Sequence, residues 1–433
     1  MSTTHTPSEQ TPSLQDADLR SFRPRSAARK GNFLAVSRLA LLVPAAIGIF
    51  VRIAAAESPA PDPERDTLSP VHAWEKFPYS WAEIRAGEFT LMPVHWQRHP
   101  GNPVVPQGMN SRPVVLNEDT VRVYYGRSGK GGGIYYFDVD PRAPEKLKTK
   151  PVGPIITTGP AGSYDVDWVL CPEPVRISES HLRMYYAAKK TGGFFNKVWS
   201  LACADSRDNG QTWTKYEGNP IMTATDDKWE SGAVGFTSVE RDERGWRMWY
   251  LGTDTSSNAI KQIGYATSAD GLKWDRYAKN PVLGVNPENA WERGAIAVAR
   301  MIRDGRLLRT WYCCYPQNNT YAIGCAESVD GLHWTRSPTN PVLKGSGRGW
   351  DSGMTAYPGT VRVGDRYLMW YSGNGYGKSG VGLATAAIPR GTWHYRTGQS
   401  EKPDENWSDW QTLTEAEPAR AGYIQFAVVE PTK

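Results

Sequence analysis

Two stretches of this chain carry the same succession of motifs. The first reads Trp249-Tyr250, Ser268-Ala-Asp270-Gly271-Leu-Lys-Trp274, Asn280-Pro281-Val282-Leu283 and Trp291-Glu292. The second reads Trp311-Tyr312, Ser328-Val-Asp330-Gly331-Leu-His-Trp334, Asn340-Pro341-Val342-Leu343 and Trp350-Asp351. As a register mark, the paired aromatic recurs at Tyr124-Tyr125, Tyr185-Tyr186, Trp249-Tyr250, Trp311-Tyr312 and Trp370-Tyr371. The intervals are 61, 64, 62 and 59 residues. Self-similarity of this kind means stacked copies of one supersecondary unit that cannot bury its apolar face alone.

Around each mark the residues alternate as in half-buried strands, for example Val121-Arg-Val-Tyr-Tyr125 and Tyr367-Leu-Met-Trp-Tyr371. Gly, Asn, Asp and Pro separate the runs. The predicted class is all-β, a five-bladed β-propeller with four-stranded antiparallel blades over residues 91–397. Inner strands are expected at residues 112–116, 173–177, 235–239, 297–301 and 357–361. Ser206-Arg-Asp208-Asn-Gly210-Gln-Thr-Trp213 is a full Asp-box. Its Asp can cap turn amides while Gly takes the positive-φ position, so the box reads as a hairpin clip rather than a ligand site. Two segments, residues 95–105 and 392–396, both copy an outer strand, so one terminus is expected to latch the last blade. Residues 398–433 read as a C-terminal strand pair packed on the propeller.

The formal charge of +5 is uneven. Residues 1–56 hold seven basic residues against three acids, which leaves +1 for everything after them. The basic excess sits in a leader rather than on a folded face, which argues against nucleic acid as a partner. That leader has a basic stretch, the uncharged run at 39–51 and Ala54-Ala55-Ala56. This is the form of an export signal, with an uncleaved membrane anchor through residues 39–56 as the alternative. The product would be secreted or periplasmic, or else held at the membrane. Residues 57–90 read as a linker and N-terminal extension. The five cysteines are odd in number and show no Cys-x-x-Cys spacing, so they read as small buried hydrophobes.

Propeller topology places the recurring acid that follows an aromatic on the ligand side: Asp165, Glu230, Glu292 and Asp351. Such regularity suits a structural task, the capping of strand amides, as well as a chemical one. Departures from the repeat carry more information. The first two copies align without a gap, Arg112-Pro-Val-Val-Leu against Glu173-Pro-Val-Arg-Ile, and Tyr357 precedes a proline in the fifth. Glu173 lies behind Asp165-Val-Asp167-Trp168, the most acidic approach to the axis. It reads either as a chemical carboxylate or as the partner of Arg112 in a buried ion pair.

The Trp-Tyr strands, Ala266-Thr-Ser-Ala-Asp-Gly-Leu-Lys-Trp274, the Asn-Pro-Val-Leu exits and Trp350-Asp351-Ser-Gly353 together resemble the five-bladed propeller glycosidases. These are the arabinanases, β-xylosidases and arabinofuranosidases, with invertases and levansucrases as relatives. The resemblance covers residues 95–397. It implies an oligo- or polysaccharide substrate and a carboxylate pair in the funnel, one protonated and one ionised. The expected catalytic residues are Asp167, Glu173 and Glu230. Asn110, Arg112, Asp165, Glu292, Asp351 and Tyr357 would position the sugar. Family members carry an Asp just before the first inner-strand Pro, where this chain has Arg112. Two other readings follow from that substitution: a non-catalytic carbohydrate-binding propeller, or a phosphorylase with Arg112 as anion clamp. No cofactor is expected. An axial Ca²⁺ would suit such a body, but the sequence offers no ligand set that specifies one.

Overall fold

The computed structural model describes residues 94–388, with short breaks at 130, 194–195, 244, 257–258, 305–306, 317–319, 329 and 338. Beyond these it describes the strands His72–Ala73, Thr392–Gly398, Gln411–Thr412 and Tyr423–Val429. The expected leader at 1–56 lies outside the described residues.

The body is all-β and of propeller type, built from antiparallel meanders. The inner strands are Met109–Asn117, Trp168–Arg176, Ala233–Asp242, Ala295–Asp304 and Ala356–Val363. Each turns back into a strand that carries the aromatic pair: Thr120–Arg127, Leu182–Lys189, Gly245–Thr253, Leu307–Tyr315 and Arg366–Ser372. Third strands follow at Gly133–Asp140, Trp199–Ser206, Lys261–Ser268, Ala322–Ser328 and Val381–Ala387. Short outer strands complete each unit. The third and fourth units share one eight-stranded sheet, joined through a single parallel pair, Lys261 with Ala295. Each inner strand packs on the next, and the fifth packs on the first.

The N-terminal segment latches the fifth unit. Gln97–Arg98 pairs with the third strand at Thr385 and Ala384, and Val104 and Val105 both donate to the Val381 carbonyl. Thr392–Gly398 instead joins a separate four-stranded sheet with His72–Ala73, Gln411–Thr412 and Tyr423–Val429.

The repeated motifs turn out to be joints. The first aromatic of a pair reaches the next unit. The Tyr185 hydroxyl donates to Gly271 O at 2.7 Å, and Trp249 Nε1 donates to Gly331 O at 2.7 Å. The asparagine of each Asn-Pro pair clamps the third strand from both sides. In the fourth unit Cys325 N donates to Asn340 Oδ1 at 2.8 Å, and Asn340 Nδ2 donates to Cys325 O at 3.0 Å. Asn102, Asn219 and Asn280 make the same double contact with Leu383, Cys203 and Tyr265. The tryptophan of the Trp-acid pair lies over glycines. Cβ atoms at Gly252 and Gly264 would fall within 2.4 Å of the Trp229 ring. All five cysteines are buried and unbridged. Burial pushes the Cys203, Cys313 and Cys325 thiols up to about 12, so they serve as small apolar groups.

In the Asp-box, Ser206 Oγ accepts from Gly210 N while Asp208 Oδ1 accepts from Gln211 N and Thr212 N. The Thr212 hydroxyl and amide hold the Asp208 carboxyl well below the ordinary range, and the Lys273 and Leu272 amides do the same to Asp270. A carboxyl with a depressed native pKa adds stability above its unfolded value, about 4, and loses it as pH falls through the native value. The melting temperature should therefore decline as pH drops below about 4. Asp208→Asn should flatten that acid limb; an unchanged limb in a pH series of thermal melts would refute the turn's role.

Ring closure requires glycine at one point. A Cβ on Gly359 would sit 2.0 Å from Ser111 O and 2.6 Å from Ser111 C, both backbone atoms of the first inner strand. Gly359→Ala should lower the melting temperature sharply, while Gly364→Ala, where a Cβ meets nothing within 4 Å, should cost only the strain of its positive φ.

Candidate functional site

Each inner strand contains one bulge at the same place. Asn110, Cys171, Phe236, Val298 and Tyr357 all take left-handed φ values between 47° and 61°, and pairing slips by one residue around each. Beyond the bulge, Arg112, Glu173, Ser238, Arg300 and Gly359 pair with the first aromatic of the next strand and are therefore equivalent. This corrects the sequence alignment. Tyr357 matches Asn110 rather than Arg112 and Glu173, because Pro358 immediately precedes the paired residue Gly359 whereas Pro113 and Pro174 immediately follow theirs. The spacing from this position to the aromatic is also one residue shorter in the last three units.

Four of these equivalent residues meet. The fully buried Glu173 carboxylate lies 2.8 Å from Arg112 Nε and 2.7 Å from Arg300 Nη1. It also accepts from Val239 N at 3.0 Å and Ser238 Oγ at 3.4 Å. Ser238 Oγ in turn accepts from Met301 N at 3.1 Å. Burial lowers the pKa of Arg300, and the neighbouring Glu173 charge opposes that drop. Arg112 and Glu173 thus come together as an ion pair, with Arg300 as a third member that the sequence alignment missed.

The recurring acids sit elsewhere, one in each of the last four units and each in a buried clip. Asp165 accepts from Lys215 Nζ at 2.6 Å, and Glu230 lies 2.8 Å from Arg276 Nε. Glu292 accepts from Arg336 and from the Tyr312 hydroxyl at 2.6 Å. Asp351 accepts from Arg98 Nε at 2.8 Å and the Tyr371 hydroxyl at 3.0 Å. Burial first, then the adjacent carboxylate, pushes the Tyr250, Tyr312 and Tyr371 hydroxyls up, which keeps them donors. Each clip ties a unit's entry loop to its own outer and second strands. Asn110 is buried beside the axis, and Tyr357 stacks on Tyr376 at 6.4 Å between centroids.

Asp167 differs from the other predicted carboxylates. It lines a cavity of about 310 Å³ between the first and second units, together with Arg127, Trp168, Thr157, Thr158 and the glycine-rich loop at 128–133. Its Oδ2 accepts from Lys189 Nζ at 2.8 Å. Lys189 also donates to Lys190 O and Gly192 O. Trp168 packs edge-on against Trp199 at 5.8 Å and against the core, and it also contributes to the cavity wall. A concave wall with one aromatic face and a few convergent polar groups is the ordinary form of a small-ligand site. Trp168 and Arg127 were not singled out from the sequence; the glycine run at 129–133 was the available signal. Among the described residues no three His, Cys, Asp or Glu side chains converge in a way that could hold a metal ion.

Comparison with known proteins places this fold. Solved structures that resemble it include one described as "Glycoside hydrolase", at TM-score 0.55 and 16% identity, covering 72% of this chain and 95% of that one. A thermostable family-43 glycoside hydrolase matches at TM-score 0.50 and 16% identity over 75% of this chain and 98% of its own. The chain has the fold of the propeller glycoside hydrolases. A third structure, Zg3597, is a family 117 glycoside hydrolase produced by the marine bacterium Zobellia galactanivorans. It matches at TM-score 0.50 and 12% identity over 68% of this chain and 90% of its own. By sequence, the chain is 29% identical over 287 residues to "Uncharacterized protein Rv1502" of Mycobacterium tuberculosis (strain ATCC 25618 / H37Rv). That match covers 63% of this chain and 90% of the relative. No family model matches the chain.

If Glu173 is the keystone of the axis, Glu173→Gln leaves two buried guanidiniums without their counter-charge. Denaturant unfolding should then show a loss of about 3–5 kcal/mol. Unchanged stability would overturn the keystone role.

Proposed function

We propose that this chain is an exported, five-bladed, carbohydrate-active propeller that cleaves glycosidic bonds in the cavity between its first two units. The fold supports a glycoside-active protein, and the cavity supplies the features that such chemistry uses. Trp168 offers an aromatic face for a sugar ring. Asp167 is the carboxylate placed to pass a proton to or from a glycosidic oxygen. In this reading Glu173 and Glu230 are scaffold, because both are fully buried and paired with arginines, while Asp165, Glu292 and Asp351 hold entry loops. The observation that carries the proposal is that Asp167, one of the acids expected from the sequence, lines a ligand-sized space.

The cavity wall also favours a second reading, a carbohydrate-binding propeller without catalysis. Hydrolysis by protein groups uses two carboxylates that flank the bond, and Asp167 is the one carboxylate among the residues that line this cavity.

A panel of neutral and acidic oligosaccharides, incubated with and without phosphate and resolved by chromatography, separates the two. Cleavage is expected, and Asp167→Asn should cut it by about 10²–10⁴-fold while thermal melts show the variant still folded, at a lower melting temperature because the buried Lys189 loses its partner. Trp168→Ala should chiefly raise KM. Full activity in Asp167→Asn would remove that residue from catalysis. Saturable binding of an oligosaccharide with no product under any condition would establish the binding module.

A further inference from the structure

Five basic side chains on the cavity-bearing face are each matched to an acid. Lys189 has Asp167, Lys215 has Asp165, Arg276 has Glu230, Arg336 has Glu292 and Arg98 has Asp351. Arg127 forms no ion pair with any described carboxylate. Its guanidinium lies 4.9 Å from the Tyr135 ring centroid and donates one long bond, 3.3 Å, to Gln107 Oε1. Stacking on an aromatic ring leaves the donor edge of a guanidinium free to take an oxyanion in two parallel bonds.

The space around Arg127 extends in a particular direction. A second cavity, about 180 Å³, shares Arg127, Ser128 and Gly129 with the first and runs on to Gln107, Gly377 and Lys378. Lys378 is exposed and also has no ion pair with a described acid. The two cavities thus form a groove whose acid, Asp167, and aromatic face, Trp168, lie at one end. Its unmatched positive charges lie in the middle and at the other end. A neutral glycan would leave both charges without a counterpart.

We propose that this groove holds an oxyanion on Arg127, with Lys378 behind it, next to the sugar bound at Trp168 and Asp167. The site deepens the carbohydrate-active reading and rests on it for the neighbouring sugar. The shared chemistry is a compact group with several anionic oxygens. Its source is either free inorganic phosphate or an acidic substituent on the glycan itself, a carboxylate or a sulfate. Arg112, the anion clamp expected from the sequence, is committed to Glu173 at 2.8 Å and so passes this role to Arg127.

Titration calorimetry of the full chain distinguishes the sources with three probes: inorganic phosphate, D-glucuronate, and a set of neutral disaccharides. One of the two anions should bind, more weakly as salt rises. Arg127→Ala should weaken that binding by about tenfold or more, the loss of a charge-assisted bond, and Lys378→Ala by less. Neutral disaccharide binding should fall by much less than anion binding in both variants. Binding of phosphate assigns the subsite to the free ion, and binding of glucuronate assigns it to the glycan. Arg127→Gln replaces the alanine variant if thermal melts show that alanine disturbs the fold. Failure of both anions to bind wild type, or equal binding by Arg127→Ala or Arg127→Gln, overturns the subsite. If neutral sugars still bind in that case, the carbohydrate-active reading stands without it. If an anion binds through Arg127 but no glycan binds or is cleaved, the subsite stands and the carbohydrate-active reading falls.

Discussion

Five strand positions converge on the axis of this protein, and one of them carries a negative charge. Around Glu173 stand Arg112 and Arg300, with Ser238 bridging to the backbone of the fourth inner strand through Met301 N. A single carboxylate therefore binds side chains from the first, second, third and fourth units together. Its desolvation is met by charged and neutral donors in one place, the condition under which a buried ion cluster can persist. The fifth unit contributes only Gly359, whose missing side chain lets the last strand come against the first. At the axis, electrostatics joins four units and close packing joins the fifth.

That arrangement changes what the repeated motifs are for. The bulge in each inner strand, with Asn110, Cys171, Phe236, Val298 and Tyr357 in left-handed conformation, sets which residue faces the axis. In the last four units the second aromatic of the pair and the acid before the inner strand then secure the outer part of the unit. A Tyr hydroxyl, a carboxylate and a cation from the outer strand meet in the fourth and fifth units as Tyr312, Glu292 and Arg336, and as Tyr371, Asp351 and Arg98. Because Arg98 comes from the N-terminal segment, the same clip that stiffens an ordinary unit also shuts the ring. None of this needs a ligand.

The strands, turns and aromatic marks were legible in the sequence because they obey local rules: alternation, turn residues and a fixed period. The N-terminal latch was legible as one of two options, since residues 95–105 copy an outer strand in full. The axial register was not. Proline aligned Tyr357 with Arg112 and Glu173, whereas strand pairing aligns Gly359, and only the backbone bulge reveals the difference. Arg300 was hidden for the same reason. Asp167 was legible as part of an acidic approach, but its separation from Asp165 was not. Those two carboxylates lie two residues apart, yet one lines a cavity beside Lys189 and the other is buried against Lys215.

A ring of alike units offers alike surfaces, so a site that distinguishes one end of a ligand from the other has to come from the unit that differs. That unit is the first. The segment before its inner strand, residues 94–108, contains no acid, so it lacks the clip of the others. Its second and third strands are joined through the glycine-rich loop, and its outer edge is formed by two short strands, Ala143–Leu147 and Val152–Ile156. Both cavities lie against this unit, with Asp167 and Trp168 contributed by the second and Lys378 by the fifth. The first unit thus lacks that buried acid–base pair, and Arg127, at the end of its second strand, has no ion pair with a described carboxylate. The same local loss of regularity that costs the first unit an internal tie gives the molecule its polarised groove.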